Sequence, residues 1–381
     1  MSRVLIRNLG GLVGGRIGEP VLEVDSLLLE DGLVAGFAPD DAERTIDAAG
    51  AVAVPGFIDS HAHVVFGDWT PRQSTIGWIE SSLHGGVTMM MSASEVHLPG
   101  RPHDREGVKA LALAAQRAYS DYRPGGVKVL GGSVIIEPVL EPADFEQLAA
   151  EDVWLAKVGF GDFTPQADAA PLVRAAQENG FVVMNHTGGA SIPDSSPVTI
   201  EDVLALGCDI VGHANGGPTA LPDGDLDRLF DAPGAIQIVQ AGNLRSALRI
   251  VELARERDML DRLVLATDTP TGTGVIPLGM LRTIAELCSL GGLAAADGVA
   301  MATGNNGAVL GRPEGVLESG RPADVVLLQT PLGSAAADPL AALELGDLPS
   351  ITSVLVDGEP LVMRSRNTPA PLRPAVEEVA G

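Results

Sequence analysis

The chain has 381 residues, enough for one large domain and a smaller one, and its core must be mainly aliphatic because only 3% of the residues are aromatic. A formal net charge of −25 argues against a nucleic-acid backbone or an anionic membrane as partner. Cys208 and Cys288 lack paired spacing, and no run of about 18 apolar residues occurs. We therefore expect a cytoplasmic protein without disulfides, signal peptide or membrane span.

Short strands separated by turns are predicted at both ends of the chain. The first 53 residues contain the apolar stretches "SRVLIRNL" and "RTIDAAGAVAV", and the tail contains "GRPADVVLLQT" and "ITSVLVDGEPLVMRS". Two strand-rich ends flanking a different middle favour one small β-domain built from residues 1–53 plus 312–381. The intervening residues 54–311 are then a separate, larger domain.

In residues 54–311, strand-like apolar runs alternate with helix-like stretches such as "DREGVKALALAAQRAYSDY" and "RSALRIVELARERDML". The predicted strands are 52–61, 86–93, 126–135, 153–161, 181–189, 208–216, 235–243 and 262–270. Eight strands alternating with helices predict an α/β fold of the (β/α)8 TIM barrel type. No glycine-rich dinucleotide fingerprint follows the first strand, which disfavours an open doubly wound sheet.

Polar side chains occur at the carboxyl-terminal ends of these predicted strands, where barrel enzymes carry their catalytic residues. They are His61 and His63 on the first strand, Lys157 on the fourth, His186 on the fifth, His213 on the sixth and Asp268 on the eighth. Any one of them has an ordinary structural explanation as a hydrogen-bonding group. Together, four imidazoles and a carboxylate at one end of a barrel predict a site for Zn²⁺ or a similar divalent ion.

Lys157 needs a separate explanation, because an ammonium group has no lone pair for a metal. It either forms a salt bridge with a neighbouring acid or is carboxylated by CO2 to a carbamate that can bridge two ions. Lysine occurs only at positions 109, 128 and 157, while arginine carries the remaining positive charge. Retention of lysine at this position favours use of its amine chemistry. Lys128, on the third predicted strand, is the alternative candidate.

These motifs together resemble the amidohydrolase superfamily along essentially the whole chain. The matching pieces are "PGFIDSHAH", the lysine of strand four, the later histidines, "ATDTP" and "GVLESGRPADVVLL". The loop sequences "DWTPRQST", "LPGRPHD", "NHTGGASIP", "GHANGGPTA" and "TGTGVIPLG" are similar to those of the enamidase family, which hydrolyses 6-oxo-1,4,5,6-tetrahydronicotinate. The resemblance implies a metal-bearing barrel, a small β-sandwich domain from both termini, and a homotetramer.

The resemblance also implies two divalent ions per chain. Zn²⁺ is the expected ion, with Fe²⁺ or Mn²⁺ as alternatives. The implied ligands are His61, His63 and Asp268 for one ion, His186 and His213 for the second, and carboxylated Lys157 between them. A metal-activated hydroxide would attack an amide carbonyl, and Asp268 would carry a proton to the leaving nitrogen. Some superfamily members have a glutamate at the bridging position.

Substrate specificity is expected from the loops that follow the strands. Arg72 and Arg101 are candidates for pairing with a substrate carboxylate, since guanidinium binds carboxylate bidentately; alternatively, each arginine ties its own loop to an acidic neighbour. Hydroxyl groups and closely approaching backbone are offered by Thr187, Gly188, Thr271 and Thr273. We therefore expect hydrolysis of the C–N bond of a cyclic amide or enamide that bears a carboxylate.

Three alternatives remain at this stage. One is another cyclic C–N hydrolase, acting on an imide, a hydantoin or a dihydropyrimidine. A second is a mononuclear deaminase, which would leave Lys157 unexplained. The third is a catalytically silent scaffold, which an intact set of metal ligands disfavours. The expected partner is a small-molecule substrate, with neither nucleic acid nor membrane bound.

Overall fold

The strands and helices below belong to a computed structural model that describes residues 2–64, 77–95, 100–190, 195–270 and 274–378. The strands in chain order are β1 (Arg3–Arg7), β2 (Gly11–Leu12), β3 (Ser26–Glu30), β4 (Leu33–Gly36), β5 (Arg44–Asp47), β6 (Val52–Pro55), β7 (Phe57–Ala62), β8 (Val87–Ser92), β9 (Lys128–Leu130), β10 (Ser133–Ile135), β11 (Leu155–Val158), β12 (Val182–Asn185), β13 (Ile210–Val211), β14 (Ala235–Val239), β15 (Leu263–Ala266), β16 (Val325–Gln329), β17 (Ser350–Val356), β18 (Glu359–Val362) and β19 (Val376–Glu378). The α-helices are α1 (Trp78–Leu83), α2 (Arg105–Ser120), α3 (Pro142–Ala149), α4 (Ala170–Glu178), α5 (Ile200–Leu206), α6 (Leu244–Glu256), α7 (Gly279–Gly291), α8 (Ala295–Ala302), α9 (Gly304–Val309) and α10 (Pro339–Leu345).

Two five-stranded sheets are built from strands of both chain ends. One has the order β19-β5-β1-β3-β4, and the other has the order β18-β17-β16-β6-β2. Alternation along β1 buries Val4 and Ile6, and these side chains share one hydrophobic cluster with residues of the second sheet such as Ala53 and Leu327. Strand β6 belongs to this second sheet and crosses the expected boundary at residue 53. The predicted first barrel strand, 52–61, is therefore divided at Gly56: residues 52–55 belong to the terminal sheet and only β7 belongs to the barrel. The division of the chain into two domains stays a prediction.

Parallel strands of the central region occupy the eight predicted positions of a barrel. Strands β7, β8 and β9 form one parallel sheet, and β10 to β15 form a second in sequence order. A parallel bridge between Ala62 and Thr269 joins the end of β7 to the segment after β15 and closes the ring among the described residues. This arrangement fits the predicted TIM barrel, and the carboxyl ends of its strands lie together.

The third predicted strand differs from expectation because it is divided at Gly131 and Gly132. The part before the break pairs with β8 and the part after it pairs with β11. Gly132 has a φ of 93°, which favours glycine, and Glu95 replaces the missing ladder bonds by accepting from the N–H groups of Gly132 and Ser133, both at 2.6 Å. Burial raises the pKa of Glu95 to about 8.

Lys128 lies between the barrel and the terminal sheets, away from the predicted metal ligands. Its Nζ is 2.7 Å from Asp357, 3.0 Å from Asp324 and 3.4 Å from Glu314, and the last two carboxylates are buried. An ammonium group surrounded by carboxylates is held charged, and accordingly the pKa of Lys128 is raised despite the opposing effect of burial. Lys128 is therefore a poor candidate for carboxylation.

Hydrophobic side chains line the barrel below the predicted site, including Ile58, Met89, Leu155 and Met184. Larger hydrophobic surfaces pack outside the barrel between the strands and helices. Within the described ranges, no helix has both the length and the apolar character needed to cross a membrane.

Candidate metal centre

His61, His63 and Asp268 converge at the carboxyl ends of β7 and β15. The Oδ1 atom of Asp268 is 3.5 Å from Nε2 of His61 and 3.3 Å from Nε2 of His63. The two imidazole rings have centroids 5.6 Å apart, so they face the same space, as their spacing in the sequence predicts. The three side chains can each direct one ligand atom to a common point, since these atoms lie within 4.8 Å of one another.

The spacing of these atoms fits a bound cation. Ligands about 2.0–2.1 Å from a tetrahedral Zn²⁺ lie roughly 3.4 Å from each other, which matches both distances to Asp268. Imidazole nitrogens and a carboxylate oxygen are also among the ligand types that Zn²⁺ binds in proteins. His61, His63 and Asp268 therefore have the composition and geometry of a divalent-ion site.

A second pair of histidines lies beside this group. Nδ1 of His186 is 2.8 Å from Nε2 of His213, and their ring centroids are 4.5 Å apart. Nε2 of His186 lies 2.8 Å from the carbonyl oxygen of Gly189. Because a carbonyl oxygen can only accept, Nε2 must carry the proton of the neutral ring. Nδ1 of His186 then carries the lone pair and accepts a hydrogen bond from Nε2 of His213. The His213 ring centroid is 5.3 Å from that of His61, so the two groups of histidines are adjacent.

Two of these residues have backbone conformations that are unusual for non-glycine residues. The φ angles are 33° at His213 and 58° at Asp268. Such conformations cost about 1–3 kcal/mol each and are concentrated at functional sites. Here they turn an imidazole and a carboxylate toward the other site residues immediately after their strands end.

Lys157 is fully buried on β11 beside these groups. Its Nζ lies 3.5 Å from Nε2 of His61 and 3.2 Å from Sδ of Met184. Burial in these apolar surroundings lowers the pKa of Lys157 to about 7, so a substantial fraction of the side chain is an uncharged amine near neutral pH. The uncharged amine is the form that reacts with CO2, which makes this position chemically suited to carboxylation.

The protonation states of the other site residues are set mainly by burial. Burial lowers the pKa of His186 to about 4 and holds the pKa values of His61 and His213 well below their ordinary value. These imidazoles are neutral at pH 7 and each keeps one lone pair for a metal. For Asp268, burial opposes ionisation, but the neighbouring imidazoles outweigh it and keep the pKa well below its usual range.

Several residues that support the site were not identified in the sequence. Ser94 Oγ lies 3.3 Å from Nδ1 of His63, and Gln237 Oε1 lies 2.6 Å from Nδ1 of His61. Asp59 accepts from the backbone N–H of Thr267 at 2.9 Å and from its hydroxyl at 2.5 Å, which joins β7 to the segment carrying Asp268. The available signal was a polar residue inside an apolar run, as in "GFIDSH" and "AIQIVQ".

Arg101, a candidate for substrate binding, lies in a buried network instead of projecting freely into solvent. It is 5% exposed, forms an ion pair with the buried Glu137, and donates from one guanidinium nitrogen to the carbonyl oxygen of Phe160 at 2.7 Å. The ring of Phe160 lies 5.1 Å from that of His186. This is the arrangement in which the arginine ties its own loop to an acidic neighbour. A contact between Arg101 and substrate stays a prediction.

Replacing Arg101 with methionine should destabilise the fold by about 3–5 kcal/mol, because Glu137 would remain buried without its main partner. Urea unfolding of both proteins measures the change. Arg117→Met is the matched control, since Arg117 pairs with Glu151 on the surface and its loss should cost only about 0–1 kcal/mol. Equal stability losses in the two variants would contradict a buried, stabilising pair.

The remaining candidates for substrate binding are distributed as follows. Thr187 is buried, and its hydroxyl accepts from the side-chain amide of Asn185 at 2.9 Å. Gly188 has a φ of 90°, and a Cβ atom there would lie 1.5 Å from the carbonyl oxygen of Thr219, so only glycine fits. Three further candidates, Arg72, Thr271 and Thr273, lie outside the described residues.

Comparison with known proteins shows similarity along the whole chain. Enamidase from Eubacterium barkeri is 45% identical over 383 residues, which cover 98% of this chain and 99% of that protein. A crystal structure of enamidase, described as a new member of the amidohydrolase superfamily, aligns with a TM-score of 0.93 at 45% identity and covers 99% of this chain and 100% of the other. An imidazolonepropionase from Salinispora tropica is 25% identical over 87% of this chain and 93% of its own length. No protein-family model matches the chain.

Proposed function

Since the chain belongs to the enamidase family of the amidohydrolase superfamily, we propose that it is a metal-dependent hydrolase that cleaves the amide C–N bond of a cyclic enamide. The observation that carries this proposal is the convergence of His61, His63 and Asp268 beside the pair His186 and His213. A chain that kept the fold alone would not need three metal-binding side chains around one point and two further histidines beside them.

The metal centre we propose contains two divalent ions, with Zn²⁺ as the first choice and Fe²⁺ or Mn²⁺ as alternatives. His61, His63 and Asp268 would hold one ion, His186 and His213 the other, and carboxylated Lys157 would lie between them. When bound, divalent ions lower the pKa of water and polarise a carbonyl oxygen. The low pKa of Lys157 and the low pKa of His186 support this assignment, because a substantial fraction of the lysine is the reactive uncharged amine near neutral pH and the imidazole keeps a lone pair for an ion.

Asp268 is the residue suited to proton transfer. Its carboxylate lies between His61 and His63, within 3.5 Å of a ring nitrogen of each. Because 20% of its side chain is exposed, the carboxylate is also accessible to an entering substrate. It would accept a proton from the attacking water and deliver that proton to the amide nitrogen as the C–N bond breaks. The products of the ring opening are a carboxylate and an enamine. The enamine tautomerises to an imine, and a second water hydrolyses the imine to an aldehyde and ammonia.

The buried surroundings explain how the site would favour this chemistry. Phe160 lies against His186, and Lys157 Nζ lies 5.8 Å from the centre of the Phe160 ring. Excluding bulk water in this way strengthens the electrostatic interactions between the site and a developing negative charge. We further propose that the substrate bears a carboxylate and that Arg72 binds it.

Other features of the working enzyme follow from the same family membership. We propose that the two terminal sheets form the small β-sandwich domain, that four copies assemble into a tetramer, and that the enzyme acts in the cytoplasm. The shared hydrophobic cluster of the two sheets supports the first of these statements. Gel filtration with light scattering would test the second.

The proposed activity is tested with a panel of cyclic substrates. We expect the metal-loaded protein to release one ammonia for each ring opened from a cyclic enamide carboxylate, and to prefer it to the saturated lactam, a hydantoin and a dihydropyrimidine. Chelator treatment should abolish the activity and Zn²⁺, Fe²⁺ or Mn²⁺ should restore it, because the attacking water would be activated by the ion that His61, His63 and Asp268 can hold. Preference for the hydantoin or the dihydropyrimidine would contradict the proposed substrate class.

A further inference from the structure

Gln237 is a buried polar residue that the proposed chemistry does not use. It lies in the middle of β14, where its neighbours Ile236 and Ile238 pack into the hydrophobic cluster outside the barrel. Since side chains alternate along a strand, Gln237 is directed to the opposite, inner side. Its side chain is fully buried, so its amide group must be satisfied by neighbouring protein groups.

The orientation of this amide follows from its fixed partners. Oε1 lies 3.2 Å from the backbone N–H of His213, which can only donate, and Nε2 lies 3.3 Å from the carbonyl oxygen of Ser60, which can only accept. Exchanging the oxygen and nitrogen atoms would place like groups against each other at both ends. The oxygen therefore faces His213, and the nitrogen faces Ser60, whose hydroxyl oxygen is 2.8 Å away.

That orientation determines the tautomer of His61. The same Oε1 atom lies 2.6 Å from Nδ1 of His61 and can only accept, so Nδ1 must carry the proton. In a neutral ring the lone pair then lies on Nε2, the nitrogen that faces Asp268 and Lys157. Gln237, one strand away from β7, thus selects the nitrogen of His61 that is available to a metal.

The oxygen of Gln237 also connects the two halves of the proposed centre. It holds the ring of His61, from the group with His63 and Asp268, and the backbone of His213, from the pair with His186. His213 has an unusual backbone conformation with a φ of 33°, and the bond to its N–H helps to hold that conformation. One side chain therefore constrains a ligand in each half.

We propose that Gln237 is a positioning residue that fixes the tautomer and orientation of His61 and couples the two halves of the metal centre. This inference rests on the proposed metal-dependent function. It predicts that Gln237 affects how tightly and in what geometry ions are held, even though Gln237 does not touch substrate or metal.

The test compares Gln237→Leu, which removes the acceptor, with Gln237→Glu, which keeps an oxygen acceptor for both N–H groups and, as a buried protonated acid, an O–H donor for the carbonyl oxygen of Ser60. We expect the affinity of the metal-free Gln237→Leu protein for Co²⁺ to fall by about 10–100-fold, the range found when groups that orient metal ligands are removed. The visible absorption of bound Co²⁺ should also change, because the ring of His61 is no longer held. Gln237→Glu should restore most of the affinity and the wild-type spectrum.

Gln329→Leu is the matched control, since Gln329 is also a buried glutamine with hydrogen bonds from both ends of its amide, but it lies on β16 in the terminal sheets. It should lower the melting temperature while leaving Co²⁺ affinity and spectrum unchanged. Wild-type affinity and spectrum in Gln237→Leu would refute the role of Gln237. The role of Gln237 would also be refuted if both leucine variants lost Co²⁺ affinity to the same extent, with each loss following the fall in melting temperature. A wild-type chain that binds no divalent ion would instead refute the proposed function.

Discussion

Replacing Lys157 with methionine is expected to lower the number of bound divalent ions from about two per chain toward one and to reduce kcat by more than about 100-fold. This lower limit is the loss of activity seen when residues that hydrogen-bond to metal ligands are replaced. Removal of a bridging ligand itself should reduce activity at least as much. The fold should survive, because methionine is similar in length to lysine and the side chain lies against Met184 in apolar surroundings.

The measurements are metal content by mass spectrometry, steady-state kinetics, and carbon-13 NMR after incubation with labelled bicarbonate. Wild-type protein should give a carbamate signal that Lys157→Met lacks. Lys128→Met is the contrasting control: it should keep its metals but lose about 3–5 kcal/mol of stability, because the buried Asp324 would be left without its cation, whereas Glu314 would keep its pair with Arg312. Full activity in Lys157→Met without a carbamate signal in the wild type would contradict the bridging role.

Replacing Asp268 with asparagine is expected to reduce kcat by about 10²–10⁴-fold, the contribution of a general acid–base group. Asparagine has the same shape and keeps one oxygen near His61 and His63, but it cannot accept and return a proton at neutral pH. The loss should appear mainly in kcat, with a smaller change in KM, because proton transfer occurs in the transition state.

Metal content measured in parallel separates proton transfer from ligation. If Asp268→Asn retains its ions but loses turnover, the carboxylate acts as the proton carrier. Wild-type kcat in the variant would assign proton transfer to another residue. Loss of ions and activity together would show that ligation alone explains the importance of Asp268.

The barrel was predictable because its signal is local and repeated. Each strand is an apolar run, and the order of strands along the chain is their order around the ring, so positions such as β11 and β15 follow from pattern and topology alone. The convergence of His61 with Asp268 could be anticipated for the same reason. The break in the third strand had a visible signal in its two adjacent glycines, Gly131 and Gly132.

What the sequence could not show depends on contacts between distant segments. The guanidinium of Arg101 binds Glu137 because a loop folds back over the end of the next strand, and no periodicity encodes that approach. Gln237 contacts His61 past the intervening strand β15, so its importance depends on the closure of the ring that brings β7 next to β15. The partners of Lys128 likewise come from the terminal sheets, whose position relative to the barrel is a tertiary property.

The interleaving of the two chain ends has a consequence during synthesis. Strand β5 pairs with β1 on one side and with β19 on the other, and β6 pairs with both β2 and β16. A ribosome that has made only the first half of the chain therefore presents unpaired strand edges that await residues still to be translated. Such edges are templates for pairing between neighbouring nascent chains. Completion of the last strands, rather than of the barrel, ends that exposure.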